Sequence, residues 1–179
     1  MTADPRTHSK FLSFLLRHGA PEQGIELGPG GWAPIAEVDR AAPFPVTAES
    51  IRAIVEGSDK ARFEVSADGT LVRATHGHSV EVDLQLTPKA PPGRLYHGTA
   101  TRHLEAILRE GLRPQSRQFV HLHGQQETAR LTGARHGKPV VLVVEAGRMH
   151  TEGHAFFEST SGVWLTAEVP PGYLGTPDG

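Results

Sequence analysis

Apolar positions in the first half of the chain fall at helical spacing three times and then switch to alternation. Phe11, Leu12, Leu15 and Leu16 recur three and four residues apart, which predicts a first helix from about Thr7 to His18. In "GWAPIAEVDRAA" a short extended start at Trp32 leads into a second helix, with Pro34 where a first turn accepts proline. "TAESIRAIVEGS" predicts a third helix. Thr47 is its N-cap, Ile51, Ile54 and Val55 its apolar stripe, and Gly57 its end. "RFEVSADGTLVRA" then alternates on both sides of Asp68-Gly69, a strong hairpin signal.

A cluster of proline and glycine, "TPKAPPGR" over residues 87–94, reads as an extended linker. Beyond it the pattern is richer in strands. "RLYHGT" predicts a strand running into the helix "ATRHLEAILREGLRP", where Leu104, Ile107, Leu108 and Leu112 form the apolar stripe and Gly111 the end. "QFVHLH" is a strand and "QQETARLTGARHG" a helix. "PVVLVVEA" is so uniformly apolar that it predicts a central strand buried on both faces. "HAFFES" and "GVWLTAEV" are further strands, and the terminal "GTPDG" should be loose. The whole is an α+β pattern in two parts.

Composition narrows the functional classes. The 179 residues contain no cysteine, which removes disulfides, thiolate metal sites and a cysteine nucleophile. No apolar run approaches membrane-spanning length and the first ten residues lack a signal core, so the expectation is a cytoplasmic protein with no membrane partner. Net charge is −2; residues 1–93 carry 9 Lys+Arg against 12 Asp+Glu, and the remainder 9 against 8. This is not a general polycation, so any polyanion is held by a few placed charges.

Several short motifs could carry chemistry. The first helix delivers Arg17-His18 next to Gly19 at its end. Cations at a helix C-terminus followed by a glycine cap are ordinary helix chemistry, and they are also a rigid mount for an active-site pair. In "LYHGTATRHLEAI" a strand end, a glycine and hydroxyl residues meet a helix N-terminus, whose free N–H groups suit a pyrophosphate; an ordinary turn capped by Thr99 or Thr101 gives the same pattern. No G-x-G-x-x-G follows a strand and no Walker-type loop occurs. His121 and His123, or His76 and His78, each share a strand face, but no third ligand completes a zinc set, and no metal is expected. Arg117 precedes a strand. Arg62 opens one beside Lys60, and His78-Ser79 is a polar pair entering a strand before the linker.

Taken in order, Arg17-His18, Arg62 in "KARF", "GHS" at 77–79, "YHGT" at 96–99, "SRQFVHL" at 116–122 and "GVWLT" at 162–166 resemble the RNA 2′-phosphotransferase family over nearly the whole chain. One departure is Thr75-His76, where Asn/Gln-type residues are expected before "GHS". The resemblance implies an N-terminal winged-helix, RNA-binding lobe over residues 1–86 and a linker over 87–93. An ADP-ribosyltransferase-like lobe that binds NAD as co-substrate follows over 94–179.

The activity it implies is removal of an internal 2′-phosphate from RNA, as at the splice junction of a ligated tRNA. The 2′-phosphate displaces nicotinamide from NAD to give an ADP-ribosylated intermediate. The ribose 2″-hydroxyl then attacks phosphorus, releasing 2′-OH RNA and ADP-ribose 1″,2″-cyclic phosphate. In that scheme Arg17, His18, Arg62 and Arg117 are catalytic. His97, Gly98, Thr99, Gly111, Leu112, His121 and Trp164 bind the co-substrate, and Lys60, His78 and Ser79 the RNA. Arginine forks suit phosphate, and a histidine suits proton transfer. The glutamate typical of protein-modifying relatives has no clear counterpart, although Glu158 and Glu168 lie near its place. The expected state is a monomer. Two other readings share parts of the pattern: an ADP-ribosyltransferase that caps nucleic-acid phosphate ends, and a winged-helix regulator without catalysis.

Overall fold

The computed structural model describes residues 4–58 and 61–177, and the chain divides after Leu86 into two compact units. Lys60 lies outside the described residues. In the first unit, α1 (Pro5–Phe14) starts with Asp4 accepting from the Arg6 amide and with Pro5 in the first turn. The helix does not stop at His18. It widens into a π-helical turn, Leu15–Gly19, and a 3₁₀ turn, Pro21–Gln23, before Gly24 closes it at φ 68°. Gly19 is therefore not the expected cap: it is buried inside the π turn and Ala20 beyond it is still right-handed. Its missing side chain is used in packing, since a Cβ there would sit 2.7 Å from Phe14 Cε1.

β1 (Trp32–Pro34) runs into α2 (Ile35–Ala41), and α3 (Ala48–Glu56) follows. Thr47 and Ser50 form the reciprocal capping box of α3: the Ser50 amide donates to Thr47 Oγ1 at 3.2 Å and the Thr47 amide to Ser50 Oγ at 2.9 Å. β2 (Phe63–Val65) and β3 (Leu71–Ala74) make the expected hairpin, shorter than the alternation suggested, with Gly69 at φ 75°. The sheet order is β1-β3-β2, all antiparallel. Leu12, Leu15, Leu16, Val38, Ile51, Phe63 and Val72 share one buried cluster, so the apolar side of the first helix anchors the π turn to this core.

The second unit holds β4 (Leu95–Ala100), a 3₁₀ turn at Thr101–His103, α4 (Leu104–Glu110), β5 (Val120–Leu122) and α5 (Gln126–Gly133). β6 (Pro139–Val144), α6 (Ala146–Thr151), β7 (Phe156–Glu158), β8 (Trp164–Thr166) and β9 (Leu174–Gly175) complete it. Two antiparallel three-stranded sheets result, β4-β6-β9 and β5-β8-β7. They meet where Tyr96 and His123 exchange backbone hydrogen bonds of 2.9 and 2.8 Å. β6 is central, as its apolar run predicted. α4 departs from expectation. Of its stripe Ile107 packs on the core and Leu112, beyond the end of the helix, is buried in it, while Leu108 is exposed. α6 and β9 were not anticipated.

Residues 87–93 lie against this second unit. The Lys89 amide donates to Phe156 O, its ammonium pairs with the Glu158 carboxylate, and the Gly147 amide donates to Gly93 O. An extended proline-rich backbone leaves its polar groups open to such partners.

Candidate active site

The first unit concentrates its site cations around one short segment. The π turn keeps Leu15, Leu16 and Gly19 buried and leaves Arg17 and His18 half-buried. A π turn shifts bonding from i→i+4 to i→i+5 and is common where a helix must re-aim functional side chains. Residues 75–79 bind at both ends. At one end the Thr75 amide donates to Arg62 O at 3.0 Å, and Thr75 Oγ1 donates to Ala61 O and Arg62 O at 3.1 and 3.4 Å. At the other, the Ser79 amide donates to Arg17 O at 2.9 Å and Ser79 Oγ lies 2.7 Å from His18 Nδ1.

One five-residue strap thus ties the backbone of Arg62 to the Arg17-His18 turn. Arg62 Nη1 also donates to Ser58 Oγ at 3.2 Å, beyond the end of α3. Thr75, the departure from the expected motif, supplies hydrogen bonds that hold β2 in place.

Inside the strap, Gly77 has φ 89°, and a Cβ there would lie 3.5 Å from Arg17 Cδ and Nε. The turn passes close against the arginine side chain because it has none of its own. His78 is only 1% exposed, and neither ring nitrogen has a hydrogen-bond partner among the described residues. Burial, and then the charges of Arg17, His18 and Arg73, push its pKa down to about 4. It is a neutral packing group beside Arg17, so any effect on a bound molecule passes through its neighbours. Ser79 is exposed, and its hydroxyl orients His18.

In the second unit, His97 lies within β4, not at its exit, and β4 continues through Thr99 to Ala100. The Gly98-Thr99 pair therefore does not open a helix N-terminus. His97 Nδ1 is 3.1 Å from His121 O. A carbonyl only accepts, so Nδ1 carries the proton. Burial lowers the His97 pKa and favours the neutral ring, which leaves a lone pair on Nε2 for a hydroxyl donor. That acceptor suits a hydroxyl group.

Gly98 has a packing role: a Cβ would lie 1.6 Å from Ala129 O, so α5 can rest on β4 only with glycine there. Gly111 ends α4 at φ 84°, with its Cα hydrogen side against Val169 O, and Leu112 exchanges backbone bonds with Val169. Trp164 is buried in β8, and the Lys89 ammonium sits 5.6 Å from its ring centroid. Arg117 is exposed in the loop before β5. Glu158 is paired with Lys89, and Glu168 is exposed. Among the described residues no group of three or more His, Asp or Glu is arranged to hold a metal.

One strap, residues 75–79, thus bonds the backbone of Arg62 and Arg17 and the ring of His18. Residues 3–168 match the RNA 2′-phosphotransferase, Tpt1 / KptA family, and the chain belongs to it. It is 52% identical to a probable RNA 2′-phosphotransferase of Agrobacterium fabrum over 169 residues, 93% of this chain and 91% of that one. Similar proteins of the same description occur in Nostoc punctiforme, 49% identical with 93% of each chain covered, and in Streptomyces coelicolor, 49% identical with 94% and 93% covered. The protein is accordingly a transferase. The strap bonds of Thr75 and Ser79 were not legible in the motif. The strand expected after His78-Ser79 does not form: β3 ends at Ala74, and residues 75–86 carry no strand.

Proposed function

We propose that this protein removes an internal 2′-phosphate from RNA by transferring it to NAD. The route runs through an ADP-ribosylated RNA 2′-phosphate to 2′-OH RNA, nicotinamide and ADP-ribose 1″,2″-cyclic phosphate. The observation that carries the reading is the strap, which fixes Arg62 and Arg17-His18 together in a chain of this family. NAD supplies the acceptor ribose; everything else falls to the protein.

A 2′-phosphate is already anionic and needs no general base. It needs its oxygens held, a task that planar arginine forks suit and that the resemblance to the family assigns to Arg17, Arg62 and Arg117. They also stabilise the charge that builds on phosphorus as the RNA 2′-oxygen departs. His18 gives that oxygen its proton. Its Nδ1 is bonded to Ser79 Oγ, which orients the ring for that transfer. His97 receives a ribose hydroxyl on Nε2, with His121 holding it from behind. Gly98, Thr99, Gly111, Leu112 and Trp164 shape that part of the site.

The helix–strand–helix–helix–hairpin order of residues 4–86 supports a winged-helix, RNA-binding lobe. The antiparallel sheets bearing His97 and His121 support an ADP-ribosyltransferase-like lobe over 94–179. The reading also makes the protein a cytoplasmic monomer that acts on tRNA-like substrates.

The test is a time course with NAD and an RNA carrying one internal 2′-phosphate, in wild type and Arg117→Ala. Wild type should yield 2′-OH RNA only when NAD is present. The variant should be slowed about 10²-fold or more and accumulate the ADP-ribosylated RNA. Phosphate loss without NAD would overturn the reading. Persistence of the adduct in wild type would favour the end-capping activity instead.

A further inference from the structure

The 3₁₀ turn Thr101–His103 and a second one, Ala134–His136, lie at the same end of the β4–β6 pair, where Ala100 faces Pro139 in register. The Thr101 amide donates to Lys138 O at 3.0 Å, and a Cβ on Gly137 would lie 3.2 Å from Arg102 Nη1. Arg102, His103, Arg135, His136 and Lys138 are therefore gathered on one surface, and all five are exposed. No Asp or Glu occurs between residues 94 and 104 or between 128 and 144. Among the described residues Arg102, Arg135 and Lys138 form no ion pair. By contrast, Arg109, Arg130 and Arg148 of the same unit each bond a glutamate. Like charges gathered without a carboxylate partner repel one another, and an anionic partner relieves that cost.

We propose that this surface is a phosphate-contact patch for the RNA backbone, separate from the groups that hold the 2′-phosphate. The partner class rests on the function proposed above; the patch itself rests on its own geometry. Three permanent cations and two histidines, spread over two turns and the Gly137-Lys138 link that follows the second, suit successive phosphodiesters. They form an exposed surface, unlike the enclosed cradle of backbone N–H groups that holds a pyrophosphate. Such contacts position an RNA without reading its bases, so the patch acts equally on RNA with and without a 2′-phosphate.

The experiment measures binding of a single-stranded RNA, with and without one 2′-phosphate, across a salt series. It compares wild type with Arg102→Gln/Arg135→Gln/Lys138→Gln and with Arg135→Gln alone. The slope of log affinity against log salt should flatten by about 2 in the triple variant and by about 0.7 in the single one, for both RNAs. Affinity at moderate salt should fall about tenfold or more in the triple variant, while the rise in melting temperature caused by NAD is retained. Unchanged slopes would overturn the proposal. So would loss of the NAD-induced shift with RNA slopes intact, which would assign the patch to the dinucleotide. If wild type leaves the 2′-phosphate in place, the proposed activity fails, while the salt slopes still decide the patch.

Discussion

At the scale of single residues, the site depends on groups that hold other groups. Ser79 is the clearest case, because its hydroxyl fixes the ring of His18 from one side while its amide fixes the Arg17 carbonyl. Ser79→Ala removes one hydrogen bond of about 1–1.5 kcal/mol, so kcat should fall about tenfold with KM for RNA little changed. The His18 ¹⁵N signals should show a redistributed tautomer population. A raised KM with unaltered His18 signals would instead make Ser79 a substrate contact.

His78 adds a pH dependence. Its folded pKa of about 4 lies below the ordinary 6.5, so the unfolded chain binds the extra proton between those values. Stability from this group is therefore complete above about pH 6.5 and is lost as pH falls toward 4, by on the order of 3 kcal/mol. Urea denaturation at pH 7 and pH 5 measures it, and His78→Asn should flatten the slope over that range.

Among the elements, what could be read from sequence was what neighbours in the chain determine. The Thr47 cap, the Asp68-Gly69 hairpin and the apolar β6 all rest on contacts a few residues long or on burial pattern alone. The π turn was not legible, because the run Leu12, Leu15, Leu16 has the same helical spacing whether or not the last turn widens. The strap was visible as a "GHS" motif, but its hydrogen bonds to Arg17 and His18 join residues 61 and 62 apart. β9 is two residues long and α6 only six, with a single apolar pair, Ala146 and Met149, so neither is long enough to show a period.

α5 carries the other lesson. It packs through Ala129 and Gly133, its smallest residues, while Leu131 is exposed, and the facing residue on β4 is Gly98. A glycine that the motif assigns to the co-substrate is demanded by helix–strand contact as well. Gly98→Ala should destabilise the protein by about 3 kcal/mol in urea denaturation. A variant of unchanged stability would show that α5 can lift away from β4.

For the whole molecule, family membership supports removal of a 2′-phosphate from RNA, and the proposed route ends that phosphate on the ribose derived from NAD. The most direct measurement uses RNA whose single internal 2′-phosphate carries a radioactive phosphorus, incubated with the protein and NAD. The account predicts that the label moves into ADP-ribose 1″,2″-cyclic phosphate and that the RNA is left with a free 2′-hydroxyl. Label recovered as inorganic phosphate, or left on RNA that stays unmodified, would contradict it.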